Sequence, residues 1–320
     1  MYNVLIIGAG QLGSRHLQGA LLSVNQLNIT VVDPSPKSLD VAKERAGQVQ
    51  FGNANSTIIY SSDIPKNKSY DVCIIATAAK VRAAVTKQLL AFSRVEHIIF
   101  EKVLFQKLVD YTEVRKILKD TNTTGWVNCP RRLFSTYVEL KEALNTSKPI
   151  SMAVKGNAWG MSCNSIHFID IFSYLIDSTS LNLTESELSP ELIESKRVGF
   201  YETTGKMKFI SEEHSLVLEC NRGDELNLSL SIENGVDKYI INESDGNWTQ
   251  SVGGVQTEKA YIPLLQSELT GGNIDDLVLS NTCGLTPFSQ SCALHIPFIK
   301  SQLMHMSAVL EKELDACPIT

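Results

Sequence analysis

The sequence predicts an α/β protein with two domains. A doubly wound parallel sheet is expected over residues 1–128, and an α+β domain with a large open, mainly antiparallel sheet over residues 129–320. Three observations predict this division. The first strand-like run leads into a glycine-rich turn, and strand-like and helix-like stretches then alternate as far as residue 128. Short alternating segments with turn signals dominate residues 198–261, which is typical of antiparallel hairpins.

The chain opens on an apolar run at residues 4–7, followed by Gly8, Gly10 and Gly13 in the spacing G-x-G-x-x-G. In this spacing the first glycine permits a tight turn, the second lets a pyrophosphate approach the backbone, and the third lets a helix pack closely. A helix-like stretch and a second strand follow, and that strand ends at Asp33. An acid about 20 residues past the third glycine is placed to bind the adenosine ribose. The pattern predicts a Rossmann domain whose cofactor contacts are Gly8, Gly10, Gln11, Leu12, Gly13 and Asp33. The alternative is an ordinary strand-to-helix turn.

The remaining elements of the first domain alternate in the same way. Helices are expected at residues 36–46, 81–92 and 108–119, and strands at 57–60, 71–77, 97–100 and 125–128. Ligands of parallel sheets bind beyond the carboxyl ends of the strands. We therefore expect the glycine turn to share one crevice with the residues at the other strand ends, which are Asp33, Ala76, Thr77, Glu101, Lys102 and Asn128. Of these, Ala76, Thr77, Glu101 and Lys102 are expected to contact the cofactor together with Asp33.

The pattern changes after residue 129. Residues 131–144 are expected to be helical, residues 150–159 to form a strand, and residues 164–176 to form an apolar helix that carries His167 and Asp170. Further helices are expected at residues 261–269 and 289–314. The last helix is a candidate to pack back on the first domain.

Composition excludes several classes of protein. The 320 residues carry a net charge of −6 without a basic block, which argues against nucleic acid or an anionic membrane as the main partner. No apolar run approaches the roughly 18 residues that a membrane span needs. Seven scattered cysteines without a paired motif indicate reduced thiols in a cytoplasmic protein, and no metal site is expected.

Four motifs together resemble one family. They are the glycine turn, Ala76-Thr77, Glu101-Lys102 and the spacing His167-x-x-Asp170. Over essentially the whole chain, the sequence resembles the glucose–fructose oxidoreductase / inositol dehydrogenase / MocA (Gfo/Idh/MocA) family of nicotinamide-dependent enzymes. The resemblance implies that Lys102 and His167 flank the substrate carbon that exchanges hydride with the nicotinamide.

The chain departs from the family pattern at two positions. The family has Glu-Lys-Pro with a cis peptide bond before the proline, and this chain has Val103 there. Lys102 is therefore either followed by a cis bond to a non-proline residue or placed differently from the family norm. The family also has an acid four residues before the histidine, where this chain has Cys163. A thiol with an ordinary pKa of about 8.5 is mostly neutral at pH 7 and replaces a carboxylate poorly.

Each candidate side chain has a functional and a purely structural interpretation. Lys102 is suited to polarise a substrate hydroxyl, or it is a surface lysine after a strand. His167 is suited to take up the released proton, or it is a satisfied histidine on a buried helix. The arginines Arg131 and Arg132 either bind an anionic group or form interdomain salt bridges. The expected substrate contacts are Asn128, Arg131, Arg132 and Asp170.

These expectations lead to one preferred function. We expect NAD-dependent hydride transfer to or from a secondary alcohol or ketone of a sugar, polyol or nucleotide sugar. Asp33 favours NAD because a carboxylate repels a 2′-phosphate, while Lys37 keeps NADP open. Two alternatives remain: an NAD-retaining epimerase, lyase or glycosidase, and a non-catalytic cofactor-binding regulator. A homo-oligomer, dimer or tetramer, is expected because an open antiparallel face needs cover if it is apolar.

Overall fold

The computed structural model describes residues 1–195 and 197–319, which divide into two compact units. The first unit comprises residues 1–105, 109–128 and 264–289. The second unit comprises residues 106–108, residues 129–263 and the chain from residue 290 onward.

Strands and helices alternate through the first 128 residues. In chain order they are β1 (Tyr2–Ile7), α1 (Gly13–Ala20), β2 (Leu27–Val32), α2 (Pro36–Ala46), β3 (Thr57–Ser61), β4 (Ser69–Ile75), α3 (Ala79–Phe92), β5 (Arg94–Glu101), α4 (Leu108–Asp120) and β6 (Thr124–Asn128).

Strands outnumber helices in the rest of the chain. After a short 3-10 helix (Pro130–Leu133) come α5 (Ser135–Ala143), β7 (Ile150–Asn157), α6 (Met161–Ile176), β8 (Asn182–Leu188), β9 (Ile193–Glu194), β10 (Tyr201–Glu202), β11 (Gly205–Ser211), β12 (His214–Asn221), β13 (Asn227–Asn234), β14 (Asp237–Asn242), β15 (Asn247–Val252), β16 (Val255–Ala260), α7 (Gln266–Ser280), β17 (Thr286–Pro287) and α8 (Phe288–Val309).

The first unit is built on a seven-stranded sheet in the order β17-β6-β5-β4-β1-β2-β3. All of its pairs are parallel except β17 with β6, which is antiparallel. The central strands are buried on both faces: Val4, Leu5, Ile6, Val72 and Ile74 have no exposed surface. Continuous apolar runs such as these are typical of parallel strands covered by helices on both sides. The predicted doubly wound parallel sheet is confirmed.

Helices α1 and α7 of the first unit pack through glycines. A Cβ atom added to Gly271 would lie 2.6 Å from the carbonyl oxygen of Gly19, and one added to Gly19 would lie 2.8 Å from the Cβ of Thr270. Larger residues would hold the two helices apart. Gly271, inside α7, therefore permits close helix packing and does not end the helix.

The helix predicted at residues 261–269 is wrong in its bounds, because α7 begins at Gln266 and ends at Ser280. Pro263 disfavours helical backbone at the residue before it, Ile262. The side chain of Glu268 accepts a hydrogen bond of 2.7 Å from the backbone N–H of Leu265, which fixes the start of the helix.

The second unit contains an eight-stranded sheet in the order β16-β15-β14-β13-β7-β12-β11-β8. Its pairs are antiparallel except for β12 with β7, so the predicted mainly antiparallel sheet is confirmed. Along β11, β12 and β13 buried residues alternate with less buried ones, so one face carries the core. Helix α6 has an almost fully buried sequence, including Ile166, Phe168 and Phe172.

Across the described ranges, no helix combines the length and the apolar character required to span a membrane. The same residues hold no group of three or more His, Cys, Asp or Glu side chains arranged to bind a metal ion.

Candidate active site

The glycine turn connects β1 to α1, and its three glycines meet three different structural requirements. Gly8 has a φ of +95°, a backbone conformation that residues other than glycine rarely adopt. A Cβ on Gly13 would stand 1.7 Å from the carbonyl oxygen of Gly8, so only glycine lets α1 approach β1 this closely. A Cβ on Gly10 would meet no heavy atom within 4 Å. The turn therefore presents exposed backbone to open space at Gly10.

The guanidinium of Arg45, which no sequence motif predicts, holds this turn in place. Arg45, in the last turn of α2, donates a hydrogen bond of 2.7 Å to the carbonyl oxygen of Gln11 and one of 2.5 Å to the Oε1 atom of the same residue. It also donates to the Oγ atom of Ser14 at 2.7 Å. The predicted cofactor residues Gln11 and Leu12 are exposed in this turn. Nothing in the local sequence around Arg45 identifies the contact, which joins residues 34 positions apart.

Asp33 follows β2 directly and is bonded to the glycine turn. Its Oδ2 atom accepts a hydrogen bond of 2.8 Å from the backbone N–H of Ala9, and its Oδ1 atom accepts one of 2.8 Å from the N–H of Ser35. A carboxylate has about four acceptor positions, so these two bonds leave capacity for ribose hydroxyls. Binding of ribose by Asp33 stays a prediction.

The register of the parallel strands brings five predicted positions to one edge of the first unit's sheet. Ile7 pairs with both Val32 and Ile75, so Gly8, Asp33 and Ala76 follow neighbouring strand ends. On the next two strands beyond β4, which are β5 and β6, Glu101 pairs with Asn128. The carboxyl ends of β1, β2, β4, β5 and β6 thus meet as the sequence analysis predicts for these residues.

Thr77 lies in the loop that joins β4 to α3. Its Oγ1 atom is buried and has no hydrogen-bond partner within residues 1–195 and 197–319. The preceding residue adjoins the glycine turn, since a Cβ on Gly8 would lie 3.0 Å from the carbonyl carbon of Ala76. A buried polar atom left unsatisfied beside an open turn indicates a place where a ligand supplies the missing hydrogen bond.

Glu101 ends β5 as a fully enclosed carboxylate. Its Oε1 atom lies 2.8 Å from Nε2 of His16 and accepts a hydrogen bond of 2.6 Å from the side-chain amide of Asn128. Burial acts to raise the pKa of Glu101, but the hydrogen bonds and charges of His16, Asn128 and Arg82 outweigh it and hold the pKa below its ordinary value. The carboxylate is therefore ionised at neutral pH.

Further hydrogen bonds extend from this carboxylate to α7. Nδ1 of His16 lies 3.0 Å from the hydroxyl of Thr270, and the amide of Asn128 also donates to Oε1 of Gln266 at 2.6 Å. The side-chain NH2 of Asn128 thus donates to protein partners within the first unit, whereas its Oδ1 atom is buried without a partner among the described residues. The predicted contact between Asn128 and a substrate stays a prediction.

Lys102 is half-buried and directly follows β5. The peptide bond between Lys102 and Val103 is cis. The three residues after the lysine, Val103, Leu104 and Phe105, have no exposed surface. The chain therefore turns inward immediately after Lys102.

The predicted side chains of the second unit include a buried ion pair. Arg132 donates two hydrogen bonds of 2.9 Å, from Nε and Nη2, to the two carboxylate oxygens of Asp170 on α6. The side chain of Asp170 is 1% exposed and that of Arg132 is 10% exposed. His167 lies one turn earlier on the same helix and is 8% exposed. Cys163, a further turn earlier, donates its S–H to the carbonyl oxygen of Gly160 at 3.5 Å.

Arg131 has a different carboxylate partner, Glu243, which no sequence motif predicts. It donates two hydrogen bonds of 2.9 Å to Glu243, and the hydroxyls of Tyr137 and Tyr261 donate to the same carboxylate at 2.9 and 3.0 Å. The guanidinium also lies 4.8 Å from the ring centre of Phe168. Both arginine ion pairs lie within the second unit.

A family model described as an oxidoreductase family with an NAD-binding Rossmann fold, GFO_IDH_MocA, matches residues 2–129. The N-terminal domain is thus similar to the cofactor domain of the Gfo/Idh/MocA family. The match confirms the expected resemblance and the expected cofactor, NAD. No curated protein matches the chain.

Solved structures of Gfo/Idh/MocA proteins and other oxidoreductases share the fold over nearly the whole chain. A dehydrogenase (MviM) from Clostridium difficile is 14% identical, with 97% of this chain and 99% of that chain covered and a TM-score of 0.66. An oxidoreductase from Agrobacterium radiobacter, in complex with NAD+, L-tartaric acid and magnesium, is 13% identical, with 93% and 94% covered and a TM-score of 0.66. The UDP-N-acetylglucosamine 3-dehydrogenase GnnA from Acidithiobacillus ferrooxidans is 9% identical, with 98% and 97% covered and a TM-score of 0.66. At these identities the likeness shows the fold.

The residues present in the first unit fit a nicotinamide dinucleotide. The open space at Gly10 leaves room for a pyrophosphate against the backbone, and the free acceptor capacity of Asp33 suits a ribose. The unsatisfied hydroxyl of Thr77 offers a further polar contact at the same sheet edge.

Proposed function

We propose that this protein is an NAD-dependent oxidoreductase that acts on a secondary alcohol, or the matching ketone, of a sugar, polyol or nucleotide sugar. The observation that carries the proposal is the sheet edge of the first unit. There the strand that leads into the open glycine turn and the strand that ends before Lys102 run parallel, separated only by β4. Cofactor binding and a polarising cation at one edge are what hydride transfer to a carbonyl requires.

Bound NAD supplies the hydride acceptor, so that oxidation of an alcohol yields a ketone, NADH and one proton. In this proposal the ammonium of Lys102 donates a hydrogen bond to the reacting oxygen and stabilises the negative charge that develops on it during the transfer. The buried stretch from Val103 to Phe105 holds the backbone of the lysine in place.

His167 takes up the proton of the alcohol in the forward direction and returns it in the reverse direction. An imidazole suits this role because its ordinary pKa of about 6.5 lies near neutral pH. Asp170 and Arg132 are proposed to contact the substrate hydroxyls. Their ion pair joins α6 to the chain that follows β6. Asn128 and Arg131 complete the proposed substrate contacts.

The proposed cofactor preference is NAD over NADP, and it rests on Asp33. A carboxylate bonded to the glycine turn accepts hydrogen bonds from ribose hydroxyls and repels a 2′-phosphate. Lys37 is exposed on the first turn of α2 and is the cation that would compensate this repulsion if NADP were bound.

We further propose a cytoplasmic homo-oligomer, a dimer or a tetramer. All seven cysteines are free thiols, as a reducing compartment maintains them. The eight-stranded sheet of the second unit presents alternate, partly exposed side chains on one face, and a second copy is the proposed cover for that face.

The test is a turnover screen with Lys102→Met and a matched control. The wild-type protein is assayed with NAD and a panel of sugars, polyols and nucleotide sugars that includes UDP-N-acetylglucosamine, and NADH formation is followed by absorbance. The control is Lys119→Met, which removes an exposed lysine from the end of α4.

For a substrate that the wild type oxidises, we expect Lys102→Met to lower kcat by about 100-fold or more with little change in NADH affinity. Lys119→Met should match the wild type. Wild-type turnover in Lys102→Met would remove Lys102 from the mechanism. A panel without any NADH formation, in protein that binds NADH, would favour the cofactor-retaining enzymes or the regulator over a dehydrogenase.

A further inference from the structure

Arg82 is a buried charged residue of the first unit that takes no part in the proposed chemistry. Arg82 lies in the first turn of α3 and is 2% exposed. A cation at this end of a helix faces the positive end of the helix dipole, which disfavours it. Burial lowers the pKa of Arg82 to about 10, with Glu101 acting in the opposite direction, so the side chain remains protonated at neutral pH. A buried charge in an unfavourable place indicates a specific role.

Among the described residues, the hydrogen-bond partners of the Arg82 guanidinium are backbone carbonyls. Nη1 donates to the carbonyl oxygens of Val103 and Leu104, the latter at 2.9 Å. Nη2 donates to the carbonyl oxygen of Thr77 at 2.5 Å. These bonds join the chain at the end of β4 to the chain directly after Lys102. One rigid, planar group therefore spans two of the loops at the carboxyl edge of the sheet.

The residue before Lys102 is held equally firmly. Glu101 is 3% exposed and bonded to His16 and Asn128, and its charge attracts that of Arg82. The backbone on both sides of Lys102 is thus tied to buried charged groups, while the lysine itself remains half-buried. A backbone fixed at both neighbours sets the place and the Cα–Cβ direction from which the lysine side chain extends.

We propose that Arg82 is the positioning residue for Lys102: its guanidinium fixes Val103 and Leu104 against Thr77 and so sets the direction of the Lys102 ammonium. The proposal rests on the catalytic role of Lys102 given above. A lysine at position 82 would keep the charge, but its compact ammonium lacks the planar fork of five N–H donors that reaches three carbonyls together.

The test compares Arg82→Met and Arg82→Lys with Arg115→Met, which removes an exposed arginine from α4. Two measurements need no substrate. Hydrogen exchange, followed by mass spectrometry, reports the opening of the backbone at residues 102–106. The rate at which acetic anhydride modifies Lys102 reports the environment of its amine. Thermal unfolding and NADH affinity are measured in parallel, and kcat is measured for any substrate found in the screen.

In Arg82→Met we expect exchange at residues 102–106 to rise by about tenfold while exchange in β1 and β2 stays unchanged. The modification rate of Lys102 should change by about threefold or more, and kcat should fall by about tenfold or more with KM for NADH within about threefold. Arg82→Lys should retain stability better than Arg82→Met but recover only part of kcat. Arg115→Met should match the wild type throughout.

Local exchange and Lys102 modification at wild-type rates in Arg82→Met would overturn the proposal. If Arg82→Met unfolds, Arg82→Lys decides: full kcat with a wild-type modification rate in that variant would overturn it as well. Failure of the proposed function has a different signature, because Lys102→Met would then retain turnover while the exchange at residues 102–106 still depended on Arg82.

Discussion

Arg132 and Asp170 form a buried bidentate ion pair, with two hydrogen bonds of 2.9 Å between guanidinium and carboxylate. The pair joins the 3-10 helix after β6 to the middle of α6. Burying a charge away from water destabilises the fold unless the charge is paired. Removal of one partner therefore lowers the free energy of unfolding far more than removal of both.

This relationship predicts a stability cycle. Asp170→Asn should lower the free energy of unfolding by about 3 kcal/mol because it leaves the Arg132 charge buried without a counter-charge. The double variant Arg132→Met, Asp170→Leu should recover at least half of that loss. Chemical denaturation of the single and double variants measures the coupling. If the double variant is stable but inactive, the pair also contacts the substrate; additive losses would contradict the importance of the pairing.

The glycines of the turn should separate folding from cofactor binding. Gly13→Ala places a Cβ against the carbonyl oxygen of Gly8 and should cost about 3 kcal/mol of stability or more. Gly10→Ala enters open space and should leave Tm nearly unchanged, yet it should weaken NADH binding by about tenfold because the methyl group stands where a pyrophosphate approaches. Melting curves and NADH titrations of both variants test this. Undiminished NADH affinity in Gly10→Ala would contradict the assigned cofactor position.

The strands and helices of residues 1–128 were predictable because their sequence signals are local. The apolar run before Gly8, the glycine spacing and the alternation of elements each occupy a short window. The bounds of α7 were not predictable in this way. Gly271 resembles a helix stop in sequence, and only its contact with Gly19, more than 250 positions away, explains a glycine inside the helix.

Asp33 should govern the choice between NADH and NADPH. Asp33→Asn keeps one of the two oxygens that accept from the backbone N–H groups of Ala9 and Ser35, and it removes the negative charge, so NADPH affinity should rise by about tenfold relative to NADH affinity. Competition titrations with both cofactors measure the ratio. Asp120→Asn, at the exposed end of α4, is the control. An unchanged ratio in Asp33→Asn would mean that another residue selects the cofactor.

Glu243 and the side chains bonded to it, Arg131, Tyr137 and Tyr261, should make the free energy of unfolding depend on pH in the acid range. Burial acts to raise the pKa of Glu243, but the hydrogen bonds and charge of Arg131 and the hydroxyls of Tyr137 and Tyr261 outweigh it, and the pKa lies below its ordinary value. A carboxylate with a lowered folded-state pKa contributes its full stability above the unfolded pKa of about 4.3 and loses it as the pH falls through the folded value.

Thermal unfolding of the wild type and Glu243→Gln from about pH 7 to about pH 3 measures this contribution. At neutral pH the variant should be less stable by about 3 kcal/mol, and the difference should shrink below about pH 4. A difference that stays constant over the whole range would show that the carboxylate charge does not stabilise the fold.

The candidate site was predictable only in part. Strand ends follow from the pattern of apolar runs, so Asp33, Lys102 and Asn128 could be placed at one sheet edge from the sequence. The partners of the arginines could not. Arg131 meets Glu243 across 112 positions, and Arg82 meets Leu104 across 22, because tertiary packing and not a local motif brings each pair together.

The most direct test of the proposed function is a titration of the purified protein with NADH and, separately, with NADPH. Energy transfer from tryptophan to the bound nicotinamide reports binding, and Trp126 on β6 lies in the same unit as the glycine turn. We expect tight binding of NADH and weaker binding of NADPH. Tight binding of NADPH alone would overturn the role of Asp33. Binding of neither cofactor, in protein without a co-purified nicotinamide, would contradict the proposed oxidoreductase function at its first step.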